Sequence, residues 1–149
     1  MLSIAHGTTG ALIATYIPNP FISTPIILAV HFLQDHIPHW DFGQGLSKKK
    51  KSKKTAFYQE LLIDFPASIL LVYLFFRSGS PETLQLAFYG WFIALLPDFL
   101  EFPYLFLGWR FWPLKQVDKL HKQVHHSIPN KFKGLWPQAA TILLVYLLR

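Results

Sequence analysis

The sequence predicts an all-α protein, a small polytopic membrane bundle of four to five helices in a single domain, residues 1–149. Three observations carry that prediction. Apolar segments alternate with short polar connections, and no stretch shows the strict alternation of a half-buried strand. The composition is 52% hydrophobic and 17% aromatic, more apolar surface than a soluble domain of 149 residues readily hides. The basic residues are confined to alternate connections: Lys or Arg occurs six times in residues 48–54 and six times in residues 110–133, twelve of fourteen in all.

The longest uncharged stretch is residues 1–34, broken by Pro18, Asn19 and Pro20 into two helices joined by a tight turn. No basic residue precedes the first apolar run, so it reads as part of the fold and not as a secretory signal. A polybasic loop, residues 47–55, follows. Residues 56–76 form an apolar helix carrying Glu60 and Asp64, and residues 83–109 form another carrying Asp98 and Glu101. A His-bearing loop, residues 110–134, leads to a last apolar segment, residues 135–148, whose 14 residues are short for a crossing that wants about 20. A mean hydropathy of only +0.29 leaves a soluble helical domain as the plain alternative.

By the positive-inside rule both basic loops face the cytoplasm, which predicts a multi-pass protein of the cytoplasmic (inner) membrane. Lysines confined to inter-helix loops are a membrane pattern, so nucleic acid is not expected as a partner despite a net charge of +6. The same topology sets depth. Asp64 falls near the cytoplasmic start of its helix, Asp98 and Glu101 near the cytoplasmic end of theirs, and all three histidine groups, His6, residues 31–39 and residues 121–126, on that same side. Ionisable groups inside membrane segments cost about 2.5–3.5 kcal/mol each and persist only with a partner. A bound cation would partner several at once.

With no cysteine in the chain, a metal must be held by nitrogen and oxygen. His31 and Asp35 share a helix face, and Pro38 ends that helix before His39 and Asp41. Asp118, His121 and His125 form one stripe with His126 on its shoulder, and Asp98 and Glu101 share a face. Each residue also has an ordinary reading: His36 or His39 as a headgroup anchor, His121 or His125 as a solvated loop histidine, Asp35 or Asp98 as a helix cap, Glu60 and Glu82 as solvated charges. Which of His31, His36 and His39 are ligands stays open.

The stretch His121-Lys-Gln-Val-His125-His126-Ser127 resembles the His-Arg-Gly-x-Thr-His-Ser signature of the YdjM-type, LexA-regulated inner-membrane family, described as metal-dependent hydrolases. His121, His126 and Ser127 match in register, His6 matches an early histidine of that family, and Leu96-Pro97-Asp98 matches the first half of its Leu-Pro-Asp-x-Asp-His element. Gln123 and His125 replace the signature's glycine and threonine, and the second Asp and the His after Asp98 are missing, with Glu101 or the element from Asp35 to Asp41 as substitutes. The resemblance implies a metal site more directly than a reaction. In ligand style the chain is also similar to the all-helical zinc phospholipases C, an analogy only.

The candidate metal ligands are therefore His6, Asp35, His39, Asp98, His121 and His126, around a divalent ion for which zinc, manganese, iron or magnesium are suited. The chain has no phosphate-binding glycine loop or nucleophile elbow, so the nucleophile expected of an enzyme is a metal-activated water. Asp64 or Glu101 would orient it or act as general base, and His125 would protonate the leaving group. The site's depth points to membrane lipid as partner and to a phosphoester of a lipid-like or amphiphilic substrate. The alternative is a non-catalytic metal-binding or metal-transporting membrane protein, or a structural adaptor whose histidines are interfacial anchors.

Overall fold

The structure, a computed structural model, describes residues 1–44 and 52–149. It is all-helical, with no strand among the described residues and a single bridge pairing His39 with Ser127. Six helices follow in order: α1, Ser3–Tyr16; α2, Pro20–His36; α3, Lys53–Phe76; α4, Pro81–Leu107; α5, Trp112–Val124; and α6, Lys131–Leu148. The polybasic residues 47–51 lie outside the described residues, while Lys53 and Lys54 open α3.

The starts of the helices are written locally. The Asn19 side chain accepts from the Phe21 N–H with Pro20 in the first turn, and the Ser80 hydroxyl accepts from the Thr83 N–H at 3.1 Å ahead of Pro81 and Glu82. The Asn130 side chain accepts from the Lys133 N–H at 3.0 Å, so α6 begins four residues before its apolar stretch and reaches 18 residues, about 27 Å. Helix α4 ends at Gly108, whose φ of 75° is the left-handed conformation that glycine adopts without strain. Both α3 and α4 contain a wide π-type turn, at Glu60–Asp64 and Pro103–Leu107.

The count of six exceeds the four or five expected because residues 112–124, assigned to the His-bearing loop, form α5. That segment is too basic to register as an apolar span, yet Leu114, Asp118 and His121 make one buried stripe along it.

Helix α1 is central and packs most closely on α4. Gly10 and Gly90 face each other so tightly that a Cβ on Gly90 would sit 2.1 Å from the Gly10 carbonyl oxygen. Alanines fill the neighbouring layers, with Ala11 and Ala87 beside Val72 and Phe76, and Ala14 and Ala94 beside Ile27 and Ile93. Small residues let the two helix backbones approach closely enough for dispersion contact along this seam. The Thr24 and Tyr89 hydroxyls bond α2 to α4, and the Trp91 indole donates to Ser68 Oγ at 2.9 Å between α4 and α3.

The bundle has two chemically distinct ends. At one, Tyr16 donates to the Leu148 carbonyl and Arg149 to that of Phe75, joining the C-termini of α1, α6 and α3. At the other, the start of α1 meets the end of α2 and the first turns of α6, where Leu2 N–H donates to Gln138 Oε1 and Gln138 Nε2 donates to the Trp40 carbonyl. Gly134 lets this happen, since a Cβ there would lie 2.4 Å from the Trp40 nitrogen. Helix α5 and the start of α3 belong to this second end, with Lys53 Nζ donating to the Leu105 carbonyl.

Helices α3 and α4, of 24 and 27 residues, are long and apolar enough to cross a bilayer, and only 22% of the apolar window of each is buried. Leu62, Leu70, Phe92, Leu33, Phe132 and Trp136 are among the exposed large apolar side chains. A core helix of a soluble protein hides most of such a surface.

Candidate metal centre

The second end gathers ionisable side chains from four helices. Helix α1 offers His6 one turn from its start; the last turns of α2 offer His31, Gln34 and Asp35 on one face. Pro38 stops α2 after His36, and the chain that follows runs beside residues 126–128: His39 N–H donates to the His126 carbonyl at 3.0 Å and Ile128 N–H to the His39 carbonyl at 2.7 Å. This pairing holds His39 and Asp41 against the segment that carries His125. Helix α4 supplies Asp98 and Glu101, and α5 supplies His121.

Asp35, fully buried, is the hub. Its Oδ2 accepts from His121 Nε2 at 2.6 Å and lies 3.5 Å from His31 Nε2; its Oδ1 lies 3.1 Å from His6 Nε2 and 3.8 Å from His39 Nε2. The Met1 amino group also reaches Asp35 Oδ1 and stands 2.9 Å from His6 Nε2. Asp98 Oδ1 is 3.9 Å from His31 Nε2 and 3.7 Å from His121 Nε2. His125 Nε2 is 3.0 Å from His39 Nε2, and both are 3.5 Å from Asp41 Oδ2.

The other ring nitrogens face outward. His31 Nδ1 is 2.8 Å from the Ala94 carbonyl and His39 Nδ1 is 2.8 Å from that of Ile37; a carbonyl only accepts, so each Nδ1 carries a proton and each ring turns its Nε2 inward. His6 Nδ1 donates to Gln34 Oε1 at 2.9 Å, and that amide is fixed by its own Nε2 donating to Thr9 Oγ1 at 2.8 Å. His121 Nδ1 faces Glu101 Oε2 at 2.9 Å. Anchoring one ring nitrogen so that the other converges on a common point is how proteins orient metal-ligating histidine. His31 Nε2 and Asp41 Oδ2, both buried, make no hydrogen bond, as ligand atoms kept for a cation would be.

Three groups could hold an ion, each with ligand atoms within 4.8 Å of one another: His6, His31 and Asp98; His31, Asp35 and His121; and Asp35, His39 and His125. Electrostatics agree with that geometry. Burial disfavours the His121 imidazolium, but Asp35 and Glu101 outweigh it and hold the pKa up at about 10, so the acidic hub keeps a positive charge in its midst. Burial, helped by the N-terminal ammonium, pushes His125 down to about 4, leaving it neutral and able to donate a lone pair.

Of the six candidate ligands, His6, Asp35, His39, Asp98 and His121 meet here. His126 does not: its Nδ1 bonds the Val124 carbonyl, its ring lies edge-on to His36 with centroids 4.6 Å apart, and it serves the centre through its backbone, donating to the Asp35 carbonyl at 2.9 Å. Of the three proposed catalytic groups, Glu101 stands behind His121 and His125 beside His39. Asp64 is instead a helix cap, its carboxylate accepting from the Ser3 N–H at 2.6 Å and facing that of Ile4 at 3.4 Å at the start of α1. The cluster adds His31, signalled by its spacing of four from Asp35, and Asp41. Gln34, the anchor of His6, had no signal in the sequence. Asp118 pairs with Lys122 at 2.7 Å, outside the cluster.

Two surface clefts, one lined by Lys53, Phe57 and Phe106 and the other by Leu12, Tyr16 and Leu148, include no residue of the cluster. Access is instead past Asp98 and His125, whose side chains are 33% and 29% exposed while Asp35 and the rings of His6, His31 and His39 are fully buried. Comparison with protein-family models, with curated proteins and with solved structures finds no match to this chain.

Proposed function

We propose that the protein is a membrane-bound, metal-dependent hydrolase acting on a phosphoester of a lipid or amphiphilic substrate. The observation that carries the reading is the set of outward-anchored histidines whose Nε2 atoms converge on one buried aspartate beside a partly exposed one. A divalent cation there supplies water acidified toward a pKa of about 7 and a Lewis acid for a phosphoryl oxygen. The His-rich donor set favours zinc, with manganese and iron also suited. Asp98, on the exposed rim, is placed to meet an incoming substrate. Glu101 acts as a positioning residue through His121, and neutral His125 donates a lone pair rather than a proton to a leaving group. Of the residues that resemble those of the hydrolase family, His6, Asp98 and His121 lie in the cluster, whereas His126 and Ser127 do not.

Hydrolysis of bis(p-nitrophenyl) phosphate by the Zn-loaded protein in detergent is expected to fall at least about 100-fold in Asp98→Ala with helical content unchanged, a loss of the size seen when metal sites are disturbed. An unaltered rate would remove Asp98 from the site, and metal binding without turnover in the wild type would favour the carrier reading.

The placement proposed is multi-pass in the cytoplasmic membrane with the metal end inward. Lys53, Lys54, Arg110 and the α5 lysines all lie at that end, as do the exposed aromatics Trp109, Phe111, Trp112 and Trp136, which suit the headgroup layer. The cysteine-free chain allows a clean test. A membrane-impermeant maleimide added to intact cells should label Gly79→Cys and spare Ser52→Cys until the membrane is opened; the reverse pattern would invert the topology.

A further inference from the structure

We infer that the centre binds two divalent cations, with Asp35 as the carboxylate shared between them; this rests on the metal reading above and specifies it. The donors are too many for one ion. Five imidazoles, of His6, His31, His39, His121 and His125, and three carboxylates, of Asp35, Asp41 and Asp98, converge, whereas a zinc site takes four ligands and an octahedral ion six.

They also divide. In the first set, His31 Nε2 and His121 Nε2 each approach Asp98 Oδ1, at 3.9 and 3.7 Å, and Asp35 Oδ2, at 3.5 and 2.6 Å. In the second, His39 Nε2 and His125 Nε2 lie 3.0 Å apart and each 3.5 Å from Asp41 Oδ2, with Asp35 Oδ1 3.8 Å from His39. Each set offers two imidazole nitrogens and two carboxylate oxygens. Ligands bound at about 2.0–2.1 Å in a tetrahedron stand roughly 3.3 Å from one another, close to most of these separations. The one residue common to both sets is Asp35, and it presents a different oxygen to each. His6, stacked on His31 with centroids 4.1 Å apart and 3.1 Å from Asp35 Oδ1, stands between the sets as a further donor.

A shared carboxylate spaces ions about 3.5–4 Å apart, the geometry of two-metal phosphoester hydrolysis.

Loading the purified full-length protein with Mn(II) tests this without reference to turnover. Elemental analysis at saturation should give two manganese per chain, and the low-temperature electron paramagnetic resonance spectrum should show exchange coupling. Asp41→Ala and Asp98→Ala should each retain one manganese with an uncoupled spectrum, checked for unchanged helicity by circular dichroism. One manganese per wild-type chain with an isolated-ion spectrum would overturn the inference even if the protein hydrolyses phosphoesters. A coupled pair without hydrolysis would uphold it and sink the enzyme reading instead.

Discussion

Asp35→Asn is expected to strip the protein of tightly held metal and reduce phosphoester hydrolysis to background, while His126→Ala leaves both near wild-type levels. The substitution conserves shape, so its effect isolates charge. Asp35 has no exposed surface and faces the Nε2 atoms of His6, His31, His39 and His121. An amide turns one of its two acceptor oxygens into a donor aimed at ring nitrogens that already face inward, and it removes the negative charge that a buried cation needs. Breaking a buried ionic network by deleting one partner costs about 3–5 kcal/mol, so lower thermal stability should accompany the loss of metal. Elemental analysis after dialysis and a melting curve measure the two effects on one preparation. Full metal content in Asp35→Asn would remove Asp35 from the hub; loss of metal in His126→Ala would mean that the outward ring placed against His36 is not where it works.

Why one neighbour should matter and the other not shows how far the chain order could be read. The break at Pro18, Asn19 and Pro20 and the stop at Pro38 are local chemistry, and α2 starts and ends where they dictate. The convergence of His6, Asp35, His39, Asp98 and His121 followed from depth: each was placed at the same level by the loop charges, and a common level is what the fold delivers. Lateral position was not legible. Asp64 has the depth of the centre, yet it meets the free N–H groups at the start of α1, because nothing in its own helix says which neighbour it faces. His125 and His126 differ by one residue at a helix end. The chain leaves helical geometry at His125, with ψ at 115°, so the stripe that continues from His121 cannot tell which ring turns inward. Helix α5 itself was hidden by its lysines, since a helix that lies on a bundle needs only a narrow apolar stripe.

Removal of metal should destabilise the folded protein, and by more at pH 8 than at pH 5.5. A cation held only by the native cluster adds RT ln(1 + [L]/Kd), about 4 kcal/mol at a thousandfold excess over Kd, which for a chain of this size is a shift in Tm of roughly 8–16 °C. The pH dependence follows from two opposing proton effects. Coordinating histidines must be neutral, so the stabilisation by metal is present above the ordinary histidine pKa near 6.5 and fades as pH falls through it. In the metal-free protein the sign reverses at His121. Its pKa is raised to about 10 by Asp35 and Glu101 against the penalty of burial, so its contribution is complete below about 6.5, the unfolded value, and is lost as pH rises toward 10. The loaded protein therefore gains stability as pH rises through about 6.5, and the stripped protein loses it as pH rises further toward 10. Melting curves with and without a chelator at pH 5.5, 7 and 8 should diverge progressively, and metal uptake at pH 7 should release protons, because His121 surrenders one to bind. Superimposed curves at all three pH values, with no proton release, would show that the ring nitrogens around Asp35 hold one another and not a cation.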